Sequence, residues 1–195
     1  MKICFLSCGI YQPELDLVLA QITKEELFDC EITVIYLPAR LHVDFNSLKE
    51  GILKALDNIV ADRIILLYGS KCHPEFQEFL QGRQLIRFEQ SNCIELMLGE
   101  RMGEIDRIAK TIYVTPGWAI YWEEFFNRKS NSNENAIKQS FSFFNQLLFV
   151  DTGACEVSKE KIREISKYTG LANKTEKIGL EVFKNNIIAA IRQAV

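Results

Sequence analysis

Apolar residues recur along this chain in short runs rich in β-branched and aromatic types, each followed by a stretch whose apolar positions repeat at helical spacing. The runs Lys2–Ser7, Ile32–Tyr36, Arg63–Leu67, Gln84–Phe88, Thr111–Val114 and Leu147–Val150 predict strands. They lack strict polar–apolar alternation, which suits strands covered on both faces. Between them, Leu15, Val18, Leu19 and Ile22 share one helical face, and Leu48, Ile52, Leu56 and Ile59 share another. Asp44 and Ser47 are both placed to cap the second of these helices. Ile137, Phe141, Phe144 and Leu148 predict a further stripe, and Phe183, Ile187, Ile191 and Val195 a last one. Aromatic stripes at this spacing read as core. Asn127–Asn135, polar and rich in Asn and Ser, reads as an exposed loop. The strand–helix alternation predicts an α/β fold: a single domain over residues 1–195, three-layered and Rossmann-like, with a mostly parallel sheet flanked by helices.

Composition narrows the function classes. The 195-residue sequence is 48% apolar, enough for a sizeable core, and this excludes disordered and fibrous classes. Its 23 Lys and Arg against 26 Asp and Glu give a net charge of −3, so no basic excess draws a polyanion and nucleic acid is not an expected partner. No segment approaches the roughly 18 apolar residues of a membrane helix. The apolar start, Met1–Ile10, runs into Gln12-Pro13-Glu14 without a small-residue cleavage site, so it reads as a first strand rather than a signal peptide. A cytoplasmic location without membrane contact is expected. In that compartment the six cysteines, Cys4, Cys8, Cys30, Cys72, Cys93 and Cys155, should be free thiols. There is no Cys-x-x-Cys pair, no G-x-G-x-x-G and no phosphate loop, so zinc ribbons, thioredoxin-type redox motifs and ordinary nucleotide sites lack their signals.

Ligands of open α/β sheets bind beyond the carboxyl ends of the strands, so the residues just after each predicted strand matter most. Cys8-Gly9 succeeds the first, Pro38 to His42 the second, and Tyr68-Gly69-Ser70-Lys71-Cys72-His73 the third. Gln90-Ser91-Asn92-Cys93, Thr115-Pro116-Gly117-Trp118 and Asp151-Thr152-Gly153 succeed the others. Three cysteines and both histidines thus fall on one predicted rim. Thiolate and imidazole donors suit zinc or an iron–sulfur cluster. Cys8, Cys72 and Cys93 would leave one position for His42, water or substrate. Cys93 opens a predicted helix through Ile94 and Leu98, where the N-terminal dipole would favour its thiolate. The same three cysteines also read as small apolar residues packed near strand ends, and His42 as a hydrogen-bonded structural histidine. His73, next to Pro74, reads as part of a helix-starting turn. Thr115–Trp118 is either a tight turn with a packing indole or a surface offering amides and a ring face to a ligand. Asp151 reads as a helix cap, Cys4 and Cys155 as structural, Cys30 as without a role, and Glu123 and Glu124 as a solvated helix face.

Taken in order, Cys8-Gly9 with Glu14-Leu15, Leu41-His42, Tyr68-Gly69 with Cys72, Asn92-Cys93-Ile94 with Leu98-Gly99, the Tyr113–Trp118 box (Tyr-x-Thr-Pro-Gly-Trp) and Asp151-Thr152-Gly153 resemble the family called domain of unknown function 1638. The resemblance covers nearly the whole chain. It implies an origin in anaerobic metabolism, beside corrinoid-dependent methyl transfer, and a shared role for Cys8, His42, Cys72, Cys93 and the Gly117-Trp118 turn. Members carry Cys-Gly where this chain reads Cys72-His73, which makes His73 an alternative ligand. The expected protein holds metal, zinc or iron–sulfur, through Cys8, His42, Cys72 and Cys93. Gly9, Tyr68, Gly69, Gly117 and Trp118 are the expected cofactor contacts, and a small molecule or a corrinoid protein is the expected partner. It would act as an enzyme or an accessory of one-carbon or corrinoid-linked metabolism. The rival readings are a non-catalytic module that binds a corrinoid or metal, and a partner-binding subunit whose cysteines are only core.

Overall fold

In the computed structural model, residues 1–126 and 138–195 are described. The expected Asn127–Asn135 loop lies outside the described residues, as does Ile137. The first strand, β1 (Lys2–Cys8), runs through a 3₁₀ turn (Gly9–Tyr11) into α1 (Gln12–Lys24). Next come β2 (Glu31–Leu37), a 3₁₀ turn (Ala39–Val43), α2 (Phe45–Leu56), β3 (Arg63–Leu67), α3 (Phe76–Phe79) and β4 (Leu85–Arg87). The second half holds α4 (Cys93–Leu98), α5 (Glu100–Ile108), β5 (Thr111–Val114), α6 (Pro116–Phe125) and β6 (Gln146–Asp151). It ends with α7 (Lys159–Thr169), β7 (Asn173–Lys177) and α8 (Glu181–Ala194). Asp44 caps α2, its carboxylate accepting the Ser47 N–H at 2.7 Å. Among the described residues no helix is long and apolar enough to cross a membrane.

The architecture is α/β, with every described strand pair parallel. The expected continuous sheet is instead two, ordered β2-β1-β3-β4 and β5-β6-β7. β4 is the weak point: it meets β3 only over Ile64–Leu66, and none of its three residues is fully buried. It therefore offers no ladder edge for β5. β7 is an addition to the expected strands, because Asn-Lys-Thr-Glu-Lys has no apolar signal. A charged strand on a sheet edge is the usual protection of that edge against a further strand. The predicted helical stripe through Phe141, Phe144 and Leu148 does not form. Leu148 sits in β6, and Phe141 and Phe144 lie in turns.

Side chains of β6 alternate between two cores, the two-residue period of a strand. Leu148 and Val150 join the main core with Phe5, Leu6, Leu15, Leu48 and Ile52. Leu147 and Phe149 face a smaller one with Trp122, Ile162 and Ile165. Both faces of β6 are therefore covered, as its unbroken apolar run requires. α8 closes the main core through Phe183, Ile187 and Ile191, all fully buried, and the Phe183 ring stacks on Tyr11 at 5.5 Å and 7°.

That stack puts a terminal helix against the turn leading out of β1. Phe183→Ala should cost about 3–5 kcal/mol in urea unfolding, the range for a buried aromatic truncated in a close-packed core. Val182→Ala one residue earlier, where the side chain is 42% exposed, should cost under about 1 kcal/mol.

Candidate functional site: a thiol crevice at the strand ends

Register sets the site. Cys8, the last residue of β1, pairs with Leu37, the last of β2, and Ser7 pairs with Leu67, the last of β3. The three strands end level, so the loops after them open on one rim. The chain passes from β1 to β2 on one side and returns to β3 on the other. A crevice forms where loop directions diverge in this way. Cys8 lies at this switch point, 1% exposed, with Sγ 3.3 Å from His42 Nδ1.

Glycines hold the loops together. A Cβ on Gly9 would stand 2.8 Å from the Leu37 carbonyl oxygen, one on Gly69 2.5 Å from Asn92 Cα, and one on Gly117 1.8 Å from the Ile10 carbonyl oxygen. What the structure places at these three positions is close backbone packing, which only a residue without Cβ permits. At Gly69 the loops after β3 and β4 are also joined by Ser70 N–H to Gln90 O (2.8 Å) and Lys71 N–H to Ser91 O (3.0 Å). Cys72 is thereby brought beside Cys93. Asn92 caps α4, its Oδ1 accepting from Ile94 and Glu95 N–H. The Glu95 carboxylate accepts in return from the Ser91 N–H at 2.7 Å. The half-buried Trp118 of α6 donates its indole N–H to Cys93 Sγ at 3.5 Å.

Burial dominates the electrostatics. The Cys8 thiol is held well above the ordinary range by desolvation, and the charges that Cys93 and Cys72 would carry oppose its ionisation further. Cys72 is pushed up to about 12 by burial and then by Cys93. Cys93 is raised too, so desolvation outweighs the helix N–H groups and the Trp118 donor that pull it down. This corrects the expectation of a dipole-stabilised thiolate: α4 has only six residues, and an uncharged thiol is what a dry site favours. Burial lowers His42 to about 4. At neutral pH the Cys8–His42 pair is thus a neutral thiol against a neutral imidazole, and the tautomer of the ring sets which of the two donates.

Three polar atoms here have no partner. Tyr11 Oη, Tyr68 Oη and Glu14 Oε2 are buried without a hydrogen bond. Tyr11 feels the charges of Cys93, Cys72, Cys8 and Glu14, and Tyr68 those of Cys8 and Cys72. Each unsatisfied group costs about 1–3 kcal/mol. Glu14 is the site residue that the sequence reading misses. It is 0% exposed, and Oε1 accepts from the Gly117 N–H at 3.5 Å and the Thr152 hydroxyl at 3.4 Å. Burial raises it from 4.5 to about 7. A signal for it exists, because Glu14 stands at four-residue spacing from Val18 and Ile22 on the apolar face of α1.

The remaining candidates separate from the cluster. His73 is buried and both ring nitrogens are used: Nε2–H donates to Phe45 O at 3.1 Å, and Nδ1 accepts from Glu75 N–H at 3.0 Å. Its ring lies edge-on to Phe79, so its place is in the packing of α3. Asp151 caps no helix; its Oδ1 accepts from the Gly153 N–H, and Ser158 caps α7. Cys4 lies within β1 and Cys30 in the bend before β2. Glu123 is paired with Lys161 at 2.6 Å. Among the described residues, no group of three or more His, Cys, Asp or Glu side chains is arranged to hold a metal ion.

A sequence profile of the family described as "Protein of unknown function (DUF1638)" matches residues 36–187. No curated protein matches the chain. A crystal structure described as that of a "Putative transcriptional regulator from Clostridium difficile 630" is similar at a TM-score of 0.39 and 10% identity, over 100% of this chain and 84% of that one. At that level the similarity carries no argument about function.

A carboxyl that keeps its proton longer in the folded than in the unfolded chain favours folding at low pH. Stability should therefore fall as pH rises from about 4.5 through about 7. The loss approaches roughly 3 kcal/mol. Glu14→Gln should remove that slope, read as urea-unfolding free energies across this interval. Parallel slopes in the two proteins would place the titration elsewhere.

Proposed function

The chain belongs to the DUF1638 family of proteins of unknown function, and within it we propose that this protein holds a thiophilic metal centre, zinc or an iron–sulfur cluster, at Cys8, His42, Cys72 and Cys93. The observation that carries this reading is the 3.3 Å contact between Cys8 Sγ and His42 Nδ1 at the switch point of the strand-end loops. Cys72 and Cys93 both lie near enough for their charges to oppose the ionisation of Cys8. Donor chemistry fits. Metal ligation requires neutral imidazole and ionised thiol. Burial already supplies the first, and a cation would supply the charge that the thiols lack. As placed, the side chains are not a finished ligand set. The reading therefore requires Cys72, in the loop after β3, and Cys93, at the head of α4, both half-buried, to turn toward the Cys8–His42 pair.

Such a centre supplies either a Lewis acid that lowers the pKa of a substrate thiol or a site for electron transfer. The first suits methyl transfer in one-carbon or corrinoid-linked metabolism, with a small molecule or corrinoid protein as partner and this chain as enzyme or accessory. A second reading rests on the unpartnered Tyr11, Tyr68 and Glu14 atoms. They suit a non-catalytic module whose occupant brings its own polar atoms, with Trp118 packing beside it.

Anaerobic purification followed by metal and acid-labile sulfide analysis decides between them. Near-stoichiometric metal should accompany the native chain, be lost in Cys8→Ser and Cys72→Ser, and persist in Cys30→Ser. Equal metal content in all of these, or none in the native protein, would overturn the metal reading.

A further inference from the structure

We propose that Glu14 is the proton-exchange group of the thiol crevice, one carboxyl oxygen fixed by the protein and the other left for the occupant. The proposal deepens the reading of the crevice as a ligand site and assigns a function to a residue outside the cysteine–histidine set. Its basis is an asymmetry in the carboxyl group. Oε1 takes the Gly117 N–H and the Thr152 hydroxyl, and the Glu14 N–H and the Thr115 hydroxyl also favour the ionised form, while Oε2 is buried without a hydrogen bond. A carboxyl needed only to tie α1 to α6 and to the loop after β6 would be expected to satisfy both oxygens or to be replaced by an amide or an apolar residue. The Gly117 backbone packs against the same carboxyl: a Cβ there would lie 3.3 Å from Oε2 and 1.8 Å from the Ile10 carbonyl oxygen.

The surroundings suit reversible protonation. The titratable groups that feel the Glu14 charge are Tyr11 in the turn after β1, Tyr36 near the end of β2, Cys93 at the head of α4 and Cys155 after β6. All of them are neutral acids, and no cation is among the causes that set its protonation. The N-terminus of α6 supplies the opposing pull: a peptide N–H and the positive end of a ten-residue helix face the ionised form. The two protonation states are thereby brought close in free energy, and burial accounts for the upward direction. If a basic atom of the occupant takes the proton, the Glu14 O–H bond breaks. The electron pair stays on the carboxylate, whose charge rests on the Gly117 N–H and the Thr152 hydroxyl. If an acidic occupant gives up a proton, Oε2 accepts it and the same bonds change in reverse.

Infrared spectroscopy of the full-length, metal-free protein reads this without knowing the ligand. The native chain should show the C=O band of a protonated carboxyl that disappears on titration around neutral pH and is absent in Glu14→Gln. Thr152→Val, which removes a donor that lowers the pKa, should move the midpoint upward and thus keep the test available if the Gln variant folds poorly. A crevice-facing carboxyl should shift its band in deuterated water within the mixing time, whereas a sealed structural one would shift only at the rate of unfolding. A band that does not titrate, does not move with Thr152→Val, or exchanges only on unfolding would overturn the proposal. These results are independent of metal. A metal-free protein whose Glu14 titrates and exchanges supports a proton-exchange site for another occupant. A metal-loaded protein whose Glu14 does neither removes this inference alone.

Discussion

The two sheets are joined at the carboxyl ends of their strands by a buried carboxyl group. Glu14 belongs to the first helix, yet Oε1 accepts from the Gly117 N–H of α6 and from the Thr152 hydroxyl beyond β6, elements that serve the second sheet. The link works because Gly117 brings the start of α6 against the Ile10 carbonyl, where a Cβ would collide at 1.8 Å. Apolar contacts alone would hold the halves together, since Leu148 and Val150 of β6 already pack into the main core. They would not fix the relative position of two loop sets to within a hydrogen bond. The carboxyl does so, and it puts Trp118, one residue after Gly117, beside Cys93.

From that junction the rest of the crevice is set by register. The level ends of β1, β2 and β3 put Cys8, the His42 turn and the Tyr68–Cys72 loop on one rim. Gly69 lets the third loop lie on the fourth, so Cys72 approaches Cys93. The result is a set of soft donors in a place that discourages charge. Thiols that are hard to ionise, and an imidazole lowered to about 4, are poor nucleophile and base on their own. Under the reading proposed above, an occupant that supplies positive charge or takes a proton would make use of them.

Much of this is legible in the residues. The strands whose apolar runs are long can be read directly, as can α1, α2 and α8, because core burial is what creates such patterns. The placement of Cys8, His42, Cys72 and Cys93 after strands is readable for the same reason. The features that do not show depend on tertiary context. The break between the sheets turns on the three residues of β4, a length that sequence leaves ambiguous. β7 carries no apolar signal because its side chains are largely exposed. His73 has the residue type of a ligand, but a carbonyl and a peptide N–H occupy its nitrogens. The glycines of the rim read in sequence as ligand contacts, and the structure adds that they bring backbone against backbone. Family membership, covering residues 36–187, adds no activity to these positions.

The polar groups that the fold leaves unpaired carry an energetic cost of their own. Among the described residues four buried polar atoms lack partners, and three of them, Tyr11 Oη, Tyr68 Oη and Glu14 Oε2, belong to the crevice. At about 1–3 kcal/mol each, they remove a large part of the roughly 5–15 kcal/mol that separates a folded domain from its unfolded chain. Phenylalanine at either tyrosine would reduce that cost with little change of shape. A fold that keeps all three atoms, and places them around three thiols and an imidazole, holds hydrogen-bonding capacity in reserve where solvent cannot use it. The occupant proposed above would meet that capacity with polar atoms of its own, which is how the proposal and the unpaired atoms fit together.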